Sequence, residues 1–179
     1  IPAKRFVVAG LDRATAAPGV LDAIRSADVV LLPPSNPVVS IGIILGVPGV
    51  RDALRGTQAP VVGVTPIIDG APVRGHADAC LAALDLPTTS AAVAGLYADF
   101  LDGWIVAPSD PMLADPRPAA LRKVALRDHH VLLTGRDKAA ETARTALELA
   151  VELRANTGSA RPKTSAETST ETSTESSRQ

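Results

Sequence analysis

Two stretches of this chain place polar side chains at the ends of apolar runs, the arrangement that anion chemistry requires. The first is LLPPSNPVVSIGIILGVPG, in which a buried strand ends in a polar turn that leads directly into a helix. In open α/β sheets ligands collect at the carboxyl ends of strands, and a helix start offers free N–H groups and a positive dipole to an anion. Ser35, Asn36 and Ser40 add side-chain donors there. The stretch has neither the lysine of a Walker motif nor the spacing of a dinucleotide-binding glycine loop. Its other reading is local, with Ser35 or Asn36 capping a helix.

The second stretch, VVGVTPIIDGAPVRGHADACLAAL, repeats the plan of strand, polar loop and helix. Thr65 and Pro66 leave the strand, Asp69 and Gly70 make a turn, and Arg74 stands at the next helix start. A guanidinium in that place can grip a phosphate or carboxylate in bidentate fashion, although a lone arginine is also a common surface residue. Asp69 could serve a Mg²⁺ ion or a hydroxyl, but Asp-Gly is first of all a turn signal. Other candidates are weaker. His76 reads as an exposed or helix-capping residue. His129 and His130 are adjacent, so on a strand they point to opposite faces and do not share a metal easily. Cys80 reads as a small core residue of an Ala/Leu helix, and Asp110 and Asp115 as loop residues that cap or solvate.

These loops need a scaffold, and the surrounding pattern supplies one. Short β-branched runs alternate with Ala/Leu-rich helical periodicity, the signature of βαβ units around a parallel sheet. Strands are expected at 6–9, 28–32, 60–64, 104–106 and 131–133. Helices are expected at 18–27, 41–47, 50–55, 77–84, 90–100 and 139–153, with Ser90 as an N-cap. In the last helix the apolar positions are 139, 143, 146, 147, 150 and 153, opposite Glu141, Arg144, Glu148 and Glu152. From Thr157 onward the sequence is rich in Thr, Ser and Glu and has little to bury. Residues 1–155 are therefore expected to be the folded part and 156–179 a disordered tail.

Composition removes several function classes. The 179 residues carry a net charge of −1 and only 2% aromatics, which argues against nucleic acid and against base-stacking surfaces. The single cysteine forms no disulfide framework or cysteine metal cluster within this chain. No run approaches the roughly 18 apolar residues of a membrane span, and no basic segment opens the chain as a signal peptide would; a cytoplasmic protein is expected. The chain opens with Ile1-Pro2 and has one methionine, Met112, which reads as a fragment or processed chain.

Ser35-Asn36-Pro37-Val38-Val39-Ser40-Ile41-Gly42, running on to Val47-Pro48-Gly49-Val50, together with Thr65-Pro66-Ile67-Ile68-Asp69-Gly70-Ala71-Pro72-Val73-Arg74-Gly75, resembles the 2-phospho-L-lactate transferase family, whose actinobacterial members are called phosphoenolpyruvate transferases. Asp102-Gly103-Trp104-Ile105-Val106 matches a strand of that family as well. The resemblance covers most of residues 20–155. It implies an α/β, Rossmann-like three-layer fold with a mainly parallel sheet, of which this chain is the C-terminal portion. It also implies a transferase of coenzyme F-420 biosynthesis. Such an enzyme moves a phosphoenolpyruvyl or phospholactyl group from a guanosine-diphosphate-linked donor to the hydroxyl of the deazaflavin precursor Fo, releasing GMP with Mg²⁺ assistance.

On that resemblance Ser35, Asn36, Pro37 and Ser40 contact phosphate or nucleotide, Arg74 neutralises the acidic donor, and Thr65, Pro66, Asp69 and Gly70 form part of the wall. The family's glycine-rich nucleotide loop and its metal-holding acidic residues have no counterpart here. Metal ligands are thus expected in an N-terminal part, no residue is assigned catalysis, and the chain alone is expected to be inactive. A homodimer is compatible with the apolar helices. The competing expectations are a nucleotide-sugar-binding regulator of related fold and an inactive truncated remnant.

Overall fold

The computed structural model describes residues 5–114 and 117–158. Four strands form a parallel sheet in the order β1 (Val30–Leu32), β2 (Val61–Val64), β5 (Gly103–Val106) and β6 (Ala125–Asp128). Between β2 and β5 lies a two-stranded hairpin, β3 (Ile67–Ile68) and β4 (Ala71–Pro72). The helices are α1 (Val20–Arg25), α2 (Ile41–Gly46), α3 (Val50–Gly56), α4 (Ala77–Ala82), α5 (Ser90–Gly95) and α6 (Arg136–Gly158).

The strands run across the sheet in chain order, so right-handed crossovers put their connecting helices on one face. Alternation along each strand then divides the core in two. Val61, Trp104 and Val106 point toward Ile41, Leu54, Leu81 and Val93 of α2 to α5. Val62, Val64, Ile105 and Ala107 point the other way, onto Ala146, Leu149 and Ala150 of α6. The result is a three-layer α/β architecture around the parallel sheet that the alternating pattern predicts. Gly63 is fixed by this packing, because a Cβ there would stand 2.7 Å from Trp104 Cε3.

Several expected elements differ. Residues 6–9 form no strand; Val7 is 72% exposed, so its β-type sequence has no sheet to join among the described residues. Residues 131–133 also form no strand. They lie past the end of β6, with Val131 buried against α6 while Leu132 and Leu133 face outward. The fourth strand is instead Ala125–Asp128, whose Ala-Leu-Arg-Asp sequence carries no β-branched residue to signal it. The helix expected over 90–100 ends at Gly95 and continues as turns, and its N-cap is Thr89, whose hydroxyl accepts from Ala92 N–H.

Helix α6 is longer than its periodicity indicated and rotated in phase. Thr142 and Leu149 are buried where Ala143 and Leu147 were expected, with the Thr142 hydroxyl returned to the Lys138 carbonyl. Beyond residue 158 the stretch read as a tail lies outside the described residues, as does Asp115. Among the described residues no helix is long and apolar enough to cross a membrane.

Candidate functional site

The loops that leave β1 and β2 meet beyond the carboxyl edge of the sheet and enclose a cavity of about 510 Å³. Ser35 and Asn36 come from the first loop, Pro66 and Arg74 from the second, and Leu132, Leu133 and Thr134 close the far wall.

Asn36 organises the first loop. Its Oδ1 accepts from the Val38 and Val39 amides at 2.9 and 3.0 Å, and its Nδ2 donates to Cys80 Sγ at 3.3 Å. The side chain thus stitches the turn after β1 to α4 and spends its acceptor on the backbone. Cys80 is buried, as its helix pattern suggested, and it also anchors this amide. Ser35 Oγ donates to Ser40 Oγ at 2.9 Å, so Ser40 holds Ser35 from behind and does not line the cavity.

At the start of α2 the first amides are already engaged within the loop. The Asn36 carbonyl takes the Ser40 and Ile41 amides at 3.2 and 3.0 Å, and no residue of α2 lines the cavity. Pro37 is buried, off the lining. Thr65 is also inward, fully buried, with its hydroxyl donating to the Ile67 carbonyl and accepting from the Ile67 amide. It shapes the step from β2 into the hairpin and is not on this cavity's lining.

Arg74 is different. It is exposed, it lines the cavity, and it makes no hydrogen bond or ion pair with any described residue. A guanidinium left unpaired beside loop donors is a place for an anion. Asp69 and Gly70 fall elsewhere. At φ +48° and +76° they form the two-residue loop of the β3–β4 hairpin. They line a second cavity, of about 400 Å³, whose walls include Ser90, Met112 and Arg117. Asp69 Oδ1 there accepts from Ser109 Oγ at 2.6 Å.

Of the remaining candidates, His76 and His129 line neither cavity, and Asp110 lines the second. His76 is exposed at the start of α4 without capping it. His129 Nδ1 lies 3.4 Å from Thr145 Oγ1. Asp110 caps a single 3-10 turn through the Met112 amide. No three His, Cys, Asp or Glu side chains converge on a metal position among the described residues. Sequence reasoning missed the wall at 132–134, whose apolar residues read as strand, and the second cavity, which no local motif announces.

Residues 1–146 match the family model described as 2-phospho-L-lactate transferase CofD. Among curated proteins, the chain is 50% identical over 155 residues to a phosphoenolpyruvate transferase of Kitasatospora aureofaciens, covering 86% of this chain and 48% of that protein. It is 52% identical over 155 residues to one of Thermobifida fusca, covering 86% and 46% respectively. With the one of Mycolicibacterium smegmatis it shares 44% identity, covering 84% and 45%. The chain spans about half the length of the curated relatives it matches. A family match over most of the chain, on the loops that build the first cavity, means that this chain belongs to the 2-phospho-L-lactate transferase CofD family.

Proposed function

We propose that this chain supplies the anion-handling wall of a transferase in coenzyme F-420 biosynthesis. The reaction is transfer of a phosphoenolpyruvyl or phospholactyl group from a guanosine-diphosphate-linked donor to the hydroxyl of Fo. The hydroxyl oxygen bonds to the phosphorus that bears the enolpyruvyl or lactyl group, the bridge to GMP breaks, and GMP and the hydroxyl proton leave. Phosphoryl transfer of this kind depends on positioning and charge stabilisation more than on a covalent nucleophile.

The observation that carries the reading is the convergence of Arg74, Ser35 and Asn36 on one cavity at the carboxyl edge. Arg74 neutralises phosphate or carboxylate charge on the donor, while the Ser35–Ser40 hydrogen bond and the amides gathered by Asn36 hold the loop that faces it. Mg²⁺ belongs to the proposal as a counter-charge to the diphosphate. The cavity lining contains no carboxylate, so these residues do not fit a Mg²⁺ site.

The test exchanges residues 20–155 of this chain for the matching segment of the Thermobifida fusca relative and supplies Fo, the guanosine-diphosphate-linked donor and Mg²⁺. Mass spectrometry then follows the phosphorylated deazaflavin and GMP. Product from the chimera supports the reading. No product from a folded chimera, under conditions where the unmodified relative turns over, removes it.

A further inference from the structure

The two outer strands of the sheet end it in opposite ways. β6 is finished as an edge: its Ala-Leu-Arg-Asp sequence carries charge, and Arg127 reaches Glu152 of α6 at 2.6 Å. β1 has no such finish. Its Val-Leu-Leu run is the composition of a strand with a neighbour on each side, yet among the described residues it pairs with β2 alone.

The face under α6 shows the same contrast. Val30 and Leu32 pack with Leu21 and Ile24 of α1 on one face of the sheet. Leu31 points to the opposite face, in register with Val62, and is 39% exposed. Helix α6 lies over β2 and β5, and its partners tell its two flanks apart. Thr145 and Glu152 turn toward β6 and the residue after it, His129, while Arg154 turns toward Asp28 in front of β1. Counting back from Arg154 by whole turns brings Ala140, Ala143, Leu147 and Val151 to the β1 side. All four are exposed, Leu147 by 47% and Val151 by 66%. The flank of α6 beside β6 is therefore polar and paired, and the flank beside β1 is apolar and bare, as an interaction surface is.

The winding of the chain points to what covers it. Strand order follows chain order, and α1, packed against α3, leads into β1. With right-handed crossovers, a strand that feeds α1 has its place along the free edge of β1. Residues 5–19 form no strand there. The curated relatives, by contrast, are about twice as long as their match to this chain, which covers 48% of one and 46% of another.

We propose that the free edge of β1, together with Leu31, Leu147 and Val151, is the docking surface for the half of the relatives' length that this chain does not span. The occupant is a strand laid parallel to β1, carrying an apolar helix that packs beside α6. This follows from membership of the family and needs no particular reaction.

One pair of substitutions, read in two contexts, tests the surface. The chimera described above carries the other half of the relative, and this chain by itself does not span it. Leu147→Lys with Val151→Lys is expected to lower the melting temperature of the chimera by about 5 °C or more and that of this chain by no more than about 1 °C. Leu147→Ala is the milder variant should the double one not fold, with an expected fall of about 4 °C in the chimera alone. Equal shifts in the two contexts overturn the proposal. So does a dimer of this chain in sedimentation that Leu147→Lys dissolves, because a second copy then occupies the face. Melting requires no product, so the transfer reading and this one can each fail without the other.

Discussion

The two ends of the parallel sheet use their polar residues differently. At the amino edge they are consumed. Asp102 Oδ2 accepts the Val61 amide at the start of β2, Thr57 Oγ1 donates to the Ile24 carbonyl, and Asp99 takes both Arg51 and Arg55. Arg154 on α6 reaches Asp28 in front of β1. At the carboxyl edge Asn36 and Thr65 are consumed in the same way, but Arg74 is not, and Asp69, Asp110 and Ser90 keep unused bonding capacity facing a cavity. Partner accounting, more than residue type, separates scaffold from candidate site.

Substitutions can break that contrast. The largest effect lies between the edges, at Gly63. An added Cβ would drive into the buried Trp104 ring, which is tied to Ser90 and cannot swing away. Gly63→Ala is expected to cost about 3 kcal/mol through overpacking, read by urea denaturation, and to loosen the second cavity through Ser90. An unchanged midpoint would mean that the sheet relaxes where the packing says it does not.

Arg74→Ala tests the carboxyl edge directly. Losing a charge-stabilising donor is expected to lower transfer in the chimera by about 10²-fold, while the unfolding midpoint stays within about 0.5 kcal/mol of wild type because no native partner is lost. Equal rates would remove Arg74 from the anion-handling role.

What was legible in the sequence follows the same division. Strands β2 and β5 announce themselves because burial on both faces demands continuous apolar runs, and β1, a partly buried edge strand, keeps an apolar Val-Leu-Leu run. β6, the other partly buried edge, did not, since Ala-Leu-Arg-Asp carries two charged residues and no β-branched one. Residues 131–133 had the composition of a strand without a neighbour to pair with. The polar loops were located correctly, but one dimension of text does not show which way a side chain faces. Thr65 turned inward, Ser40 went behind Ser35, and Asp69 crossed to another cavity. Cys80 looked like filler and proves also to be the partner of Asn36 across 44 residues.

Asn36 gives the next prediction. Asn36→Ala frees two loop amides and a buried thiol, which is expected to cost about 1–2 kcal/mol by analogy with lost caps. Asn36→Asp keeps the acceptor for Val38 and Val39 and should recover most of that stability. If Asn36→Asp is as unstable as Asn36→Ala, the Cys80 contact carries the loop and the amide capping does not.

The smallest effect comes from the amino edge and is read as a slope against pH. Burial pushes the Asp102 carboxyl up, against the opposing hydrogen bond from Val61 N–H. Burial acts on Asp99 in the same sense, but the hydrogen bonds from Arg51 and Arg55 outweigh it and leave that carboxyl below its usual range. The linkage signs are therefore opposite. A raised carboxyl favours the fold below the unfolded pKa and loses that contribution as pH rises through the folded pKa. A lowered one contributes above the unfolded pKa and loses it as pH falls through the folded pKa. Asp102→Asn should therefore be more stable than wild type near pH 7, with the gap closing on acidification through the carboxylate range. Asp99→Asn should be less stable near pH 7, and its gap should close over the same range from the other side. Thermal melts between pH 3 and 7 distinguish the two; gaps of the same sign would mean that the ion pairs at Asp99 contribute no more than their desolvation costs.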